Sequence, residues 1–120
     1  MSRWSVLLAA GALGLVALAQ GPAAKQLYVV THVDTVPGSG IDTVKEVTQF
    51  AADSKKDAGC VRFEALRSVE RMNHFELVEV WRTRQDFEAH VAQEHTKRFR
   101  EKIQPALGSP FDERLYNSLE

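Results

Sequence analysis

The hydrophobic pattern changes period along the chain, and the order of those changes permits few folds. Gln26 to Val33 is rich in Val, Leu, Tyr and Thr and reads as a strand. Pro37-Gly38-Ser39-Gly40 reads as a loop. Ser39 is placed to cap a helix with Asp42 in its first turn. Ile41, Val44, Val47 and Ala51 then recur at helical spacing to about Lys56, and Gly59 stops the helix. From Cys60 to Ser68 the period falls to two, with Val61, Phe63 and Ala65 alternating against Arg62 and Glu64. Glu70 to Asn73 is a turn, and His74 to Trp81 is a second strand, so the pair forms a hairpin. Thr83 caps one further helix carrying Phe87, His90, Val91, Phe99 and Ile103, ended by Pro105 to Pro110. Phe111 to Ser118 is the last strand.

The order is β-α-β-β-α-β, which predicts an α+β, ferredoxin-like fold: an antiparallel sheet with both helices on one face. The other sheet face also carries apolar side chains, and the chain has nothing left to cover it. A homodimer, sheet against sheet, solves that problem.

The first residues do not belong to this pattern. No charge occurs between Arg3 and Lys25, and the run from Val6 to Ala19 is apolar or small. That layout is a signal peptide over residues 1–19, with cleavage after Ala19 in Ala17-Leu18-Ala19. Residues 20–25 form a short leader to the domain at 26–120. The run has 14 residues, short of the roughly 20 that span a bilayer, and Gly21-Pro22 interrupts it. Periplasmic or secreted localisation follows, with membrane contact only transient, through the signal peptide. Removing 19 of the 120 residues leaves 101, one domain. The net charge of −1 gives no footprint for nucleic acid. The lone Cys60 excludes an intramolecular disulfide and reads as an inert strand thiol.

The chemistry-bearing residues are few. Phe75, Leu77, Glu79 and Trp81 share one strand face, so Glu79 sits among apolar neighbours. A carboxylate there needs a partner, either Arg114 or a backbone amide, or it is poised in a pocket. Histidine is the residue type suited to acid–base work near neutral pH. His32, His90 and His95 are the candidates, with Trp81 and Phe99 lining a pocket and Asn73, Glu79 and Arg114 orienting or supporting it. His90 and His95 are five apart, about 140° around one helix, which does not suit a shared metal. No metal site is expected. Gly38-Ser39-Gly40 lacks the rest of a nucleotide loop, and no Gly-x-Ser-x-Gly elbow exists.

The string Phe75-Glu76-Leu77-Val78-Glu79-Val80-Trp81, followed by Phe87-Glu88-Ala89-His90, His95 and Phe99, resembles the antibiotic biosynthesis monooxygenase family. Pro110-Phe111-Asp112-Glu113-Arg114-Leu115-Tyr116 is similar to the close of its quinol monooxygenase members. His32-Val33-Asp34 and Gly59-Cys60-Val61-Arg62-Phe63-Glu64 also fit, so the likeness spans residues 26 to 117. It implies a dimeric α/β barrel with a cleft between helices and sheet. It also implies oxidation of a quinol- or anthrone-like small aromatic substrate by O₂, with no cofactor. The family includes haem-degrading enzymes and isomerases too. Its haem-degrading members carry an asparagine on the first strand, where this chain has Thr31 and His32. A ligand-binding dimer without turnover is the alternative from another class.

Overall fold

The computed structural model describes residues 25–120. The expected signal peptide, and all of the leader but Lys25, lie outside the described residues. Four strands and three helices run in the order β1 (Leu27–Asp34), α1 (Thr43–Ser54), β2 (Cys60–Arg67), β3 (His74–Trp81), α2 (Arg84–Val91), α3 (Glu94–Ile103) and β4 (Asp112–Asn117). A 3-10 turn, Gln104–Ala106, links α3 to the last connection. The strands lie in the order β2-β3-β1-β4, and every neighbouring pair is antiparallel. The fold is the expected ferredoxin-like α+β arrangement.

Alternation decides which strand residues meet the helices. On β1 these are Leu27, Val29, Thr31 and Val33, and on β3 Phe75, Leu77, Glu79 and Trp81. Tyr28, Val30 and His32 face the opposite side. Helix α1 adds Val47, Phe50 and Ala51, and α3 adds Phe99 and Ile103. Phe50 is the hub. It stacks on Phe99 at 4.1 Å between centroids, nearly parallel, and meets Phe63 edge-on at 5.4 Å. Aromatic pairs of this kind add about 0.5–1.5 kcal/mol each beyond area burial.

Three local expectations are corrected. Asp42, not Ser39, caps α1: its carboxylate accepts from the Lys45 N–H at 3.1 Å, while the Ser39 hydroxyl accepts from Ile41 N–H. Val44, in the first turn of α1, is left exposed, and the buried stripe continues instead as Val47, Phe50, Ala51 and Ser54. In β2, a bulge between Cys60 and Arg62 breaks the alternation. Cys60 pairs with Trp81 and Arg62 with Val80, so Val61 is the extra residue and is half-exposed. Phe63 and Ala65 keep their inward positions.

The largest departure concerns the second expected helix, which is two. The chain breaks at Ala92-Gln93, where Gln93 is extended (ψ 147°) and begins α3. The Thr96 hydroxyl donates to the carbonyl of His90 at 2.7 Å, so a carbonyl freed by the break is satisfied. Thr83 caps α2 as expected, accepting from Asp86 N–H.

Gly59 joins α1 to β2 at a point where no side chain fits. Its φ is +79°, and a Cβ there would come within 2.2 Å of the Asp86 carboxyl. Its carbonyl accepts from Arg82 N–H at 2.8 Å, so the turn is fixed against the start of α2. Gly59→Ala is therefore expected to destabilise the fold by about 1–3 kcal/mol, combining left-handed strain with the clash. Urea unfolding followed by circular dichroism measures it, and a shift in midpoint within error of zero would contradict the assignment.

Candidate active site

The inward face of β3 places Glu79 between Leu77 and Trp81, 2% exposed. The Trp81 indole N–H donates to Glu79 Oε1 at 2.9 Å, a contact available because residues two apart share a strand face. Burial pushes the Glu79 carboxyl up to about 7. The Trp81 hydrogen bond opposes that rise, Glu113 adds to it and Arg100 opposes it.

His90, in the last turn of α2, lies over Trp81 with ring centroids 4.6 Å apart and is as buried as Glu79. Its Nδ1 lies 2.7 Å from Asp57 Oδ2. An ionised carboxylate only accepts, so Nδ1 carries the proton and, in the neutral ring, Nε2 is the free base. Nε2 points toward Glu79 Oε1 at 3.6 Å. Burial pushes the imidazole below its ordinary value, and the Asp57 contact pulls it back up. His95, in the first turn of α3, brings its Nε2 to the same Asp57 oxygen at 2.8 Å.

Asp57 reaches both rings from the turn after α1. That turn is held by Asp57 N–H donating to Ser54 O and Cys60 N–H donating to Asp57 O. The break at Ala92-Gln93 completes the arrangement. On one continuous helix His90 and His95 would diverge by about 140°; broken, the two helices aim both imidazoles at one oxygen.

A cavity of about 10 Å³ lies beside Glu79 and His90, room for one water. Thr31, Leu77, Phe50, Phe99 and Phe111 wall it, with Arg100 and Glu113 also on its lining. Arg100 donates to Glu113 at 2.8 Å. The Thr31 hydroxyl is buried and has no hydrogen-bond partner among the described residues. A groove of about 170 Å³ between α1 and α3 lies on the other side of the Phe50 and Phe99 rings, with His95 in its wall.

Of the residues singled out in the sequence, Glu79, Trp81, His90 and Phe99 come together here, and His95 joins through Asp57. The other three lie elsewhere. His32 is on the outer sheet face, 2.9 Å from Glu76 and 3.1 Å from His74. Arg114 is on that same face in a two-bond pair with Asp112, so the partner of Glu79 is Trp81 and not Arg114. Asn73 sits before β3 and donates to the Thr35 carbonyl at 2.8 Å. Burial and the nearby Glu79 and Asp57 charges push the Cys60 thiol up, which suits an inert thiol. Asp57, Thr31 and Arg100 are additions. Asp57 lies just past the expected end of the first helix, and Thr31 is one of the strand formers of β1. The one sequence signal near Asp57 is Gly59, which marks the turn from which the carboxylate is aimed.

Residues 26–102 match the antibiotic biosynthesis monooxygenase family, and the chain belongs to it. That membership carries a general monooxygenase-like function on small molecules. No curated protein matches the sequence. Among solved structures, PA3566 from Pseudomonas aeruginosa is 22% identical with a TM-score of 0.75, covering 83% of this chain and 100% of that one. A Nitrosomonas europaea protein described as an antibiotic biosynthesis monooxygenase is 22% identical, TM-score 0.73, covering 83% and 96%. A Caulobacter crescentus protein of the same description is 16% identical, TM-score 0.73, covering 82% and 93%. At these identities the likeness fixes the fold.

Glu79 makes stability depend on pH in a known direction. Its carboxyl is raised from 4.5 to about 7, so the folded state holds a proton that the unfolded chain releases near 4.5. The Glu79 contribution to stability therefore falls as pH rises from about 4.5 to about 7 and is level beyond. Glu79→Gln, which has no such proton, should gain on the wild type across that window, by up to about 3 kcal/mol. Urea midpoints at about pH 4.5, 6 and 8 test this; a constant gap between the two proteins would contradict the raised carboxyl.

Proposed function

We propose that the protein is an exported, homodimeric monooxygenase that oxidises a quinol- or anthrone-like aromatic with O₂ and needs no cofactor. One observation carries the reading: a neutral His90, its tautomer set by Asp57, turns a bare Nε2 toward a raised Glu79 carboxyl beside a cavity holding an unpartnered Thr31 hydroxyl. A base and an acid with their affinities pushed in opposite directions form the pair that proton-coupled oxidation requires.

The steps follow from the chemistry of electron-rich aromatics. His90 Nε2 takes a proton from the activated methylene or hydroxyl, and Asp57 stabilises the imidazolium. The resulting anion transfers an electron to O₂, and the two radicals join as a peroxide. The imidazolium returns its proton to the peroxide, and for a methylene substrate the neutral His90 then takes the remaining C–H proton as the O–O bond breaks, Glu79 protonates the leaving hydroxide, and the proton on His90 finally restores the Glu79 carboxyl. The sum is CH₂ + O₂ → C=O + H₂O. Thr31 supplies a donor or acceptor to the substrate oxygen. The aromatic walls and Trp81 keep the site dry, where charge development is most affected by fixed dipoles.

A cavity of about 10 Å³ takes no aromatic ring, so entry requires Phe111 to move. Phe111 also walls a neighbouring cleft of about 460 Å³ lined by Gln104, Leu107 and Pro110, and its displacement joins the two.

Two further parts of the reading rest on other features. The uncharged leader supports export. Tyr28, Leu66 and Tyr116 are exposed on the outer sheet face, beside the part-buried Val30 and Val78, and this supports packing against a second copy. Sedimentation should give a dimer, and Val78→Glu should shift it to monomer. A wild-type monomer at micromolar concentration would remove the dimer.

The activity test is O₂ uptake by purified protein with hydroquinones and anthrones. His90→Gln should lower the rate by at least about 100-fold, the usual scale for a lost general base. Tight ligand retention without O₂ uptake would instead favour the binding-dimer alternative.

A further inference from the structure

We infer that Asp57, His90 and His95 form a site for one divalent transition-metal ion of the zinc class, set behind the substrate cavity. The ligating atoms are Asp57 Oδ2, His90 Nδ1 and His95 Nε2, and all lie within 4.8 Å of one another. The carboxylate oxygen stands 2.7 and 2.8 Å from the two nitrogens. Ligand atoms around such a tetrahedral ion are about 3.3–3.6 Å apart, given metal–ligand bonds of about 2.0–2.2 Å. Modest rotations of Asp57 and His95, the more accessible two, open the oxygen–nitrogen edges to that spacing.

Three features distinguish this cluster from a casual ion pair. The ligands come from three separate elements, the turn after α1, the end of α2 and the start of α3, each fixed by its own backbone bonds. Two imidazoles and one carboxylate form a donor set that suits zinc-class ions and leaves a fourth position for water. Lastly, the far nitrogen of His90 faces the Glu79 carboxyl at 3.6 Å, and Glu79 is itself held by the Trp81 indole. A metal-bound imidazole directs its other N–H to a carboxylate in the same manner.

Occupancy also changes the cavity, an effect that rests on the proposed oxidation. A metal on Nδ1 moves the ring proton to Nε2, so His90 becomes a donor toward Glu79 and can no longer accept a proton from substrate. Metal loading would silence the oxidation.

Binding is measured by titrating the full chain, stripped with chelator, with Co²⁺ and following the visible d–d bands. Zn²⁺ is titrated in parallel while imidazole nitrogens are observed by NMR. One equivalent of Co²⁺ is expected. Asp57→Asn and His95→Gln should each weaken it at least about 100-fold. His74→Gln, on the other sheet face, should leave it unchanged. In the wild type, Zn²⁺ should shift His90 Nδ1 and His95 Nε2 and spare His32 and His74, a readout that needs no variant to fold. No d–d band, a band that survives both ligand variants, or Zn²⁺ shifts confined to His32 and His74 would overturn the site. O₂ uptake separates the two proposals. If the stripped protein is inactive yet binds Co²⁺ as described, the oxidation fails and the metal site stands. If it is active and binds none, the reverse holds.

Discussion

One oxygen atom of Asp57 organises the centre of the molecule. It accepts from His90 at 2.7 Å and from His95 at 2.8 Å, and so ties the end of α1 to the end of α2 and the start of α3. Across the break at Ala92-Gln93 it acts beside the Thr96 bond to α2 and the Lys102–Glu46 pair, 2.9 Å, which also joins α3 to α1. Phe99 of α3 stacks on Phe50 of α1 between these contacts. The aromatic layer over the sheet is thus flanked by polar contacts at its rim. Charge-assisted bonds in a site this dry are strong when made and costly when lost.

The same contact fixes what His90 can do. By holding the proton on Nδ1 it leaves Nε2 bare toward Glu79, and the Trp81 indole fixes that carboxylate from the other side. Each polar group therefore has one neighbour that orients it and one direction left open. His90 and Glu79 both line the small cavity that also holds Thr31, whose hydroxyl has no hydrogen-bond partner among the described residues. Geometry of this kind is carried by the backbone: alternation on β3 sets the Glu79–Trp81 spacing, the turn before Gly59 aims Asp57, and the helix break aims the two histidines.

What the sequence disclosed follows from how local each feature is. Glu79 and Trp81 were legible because strand alternation is a two-residue rule, and the ferredoxin-like order was legible because each period change is local too. The His90–His95 relation was not. It depends on a break whose residues, Ala92 and Gln93, carry no proline or glycine; the break is stabilised by tertiary contacts to Asp57 and by Thr96. Val61 was misplaced for a similar reason, since the bulge at Cys60 and Arg62 exists only in the pairing with β3. His32 and Arg114 had the right residue types for a site. Their side of the sheet was set by strand parity, which places Tyr28, Val30 and His32 together and away from the helices.

The groups at the centre are not what stability alone would select. A buried carboxylate lifted to about 7, an imidazole held below its ordinary value and an unsatisfied hydroxyl each cost free energy that apolar side chains of similar volume would not. The surrounding core could have been completed with leucine at any of these positions, and the strand and helix patterns would read the same. The fold instead places polar groups in one line from His95 through Asp57 and His90 to Glu79 and Trp81, hydrogen-bonded except at the 3.6 Å contact between His90 and Glu79. It keeps the remaining inward positions of β1 and β3 apolar apart from Thr31. Local rules broken together at one place locate function more sharply than any single residue there. By that argument the helix side of the sheet, and not the His32 face, is the side on which the proposed chemistry is placed.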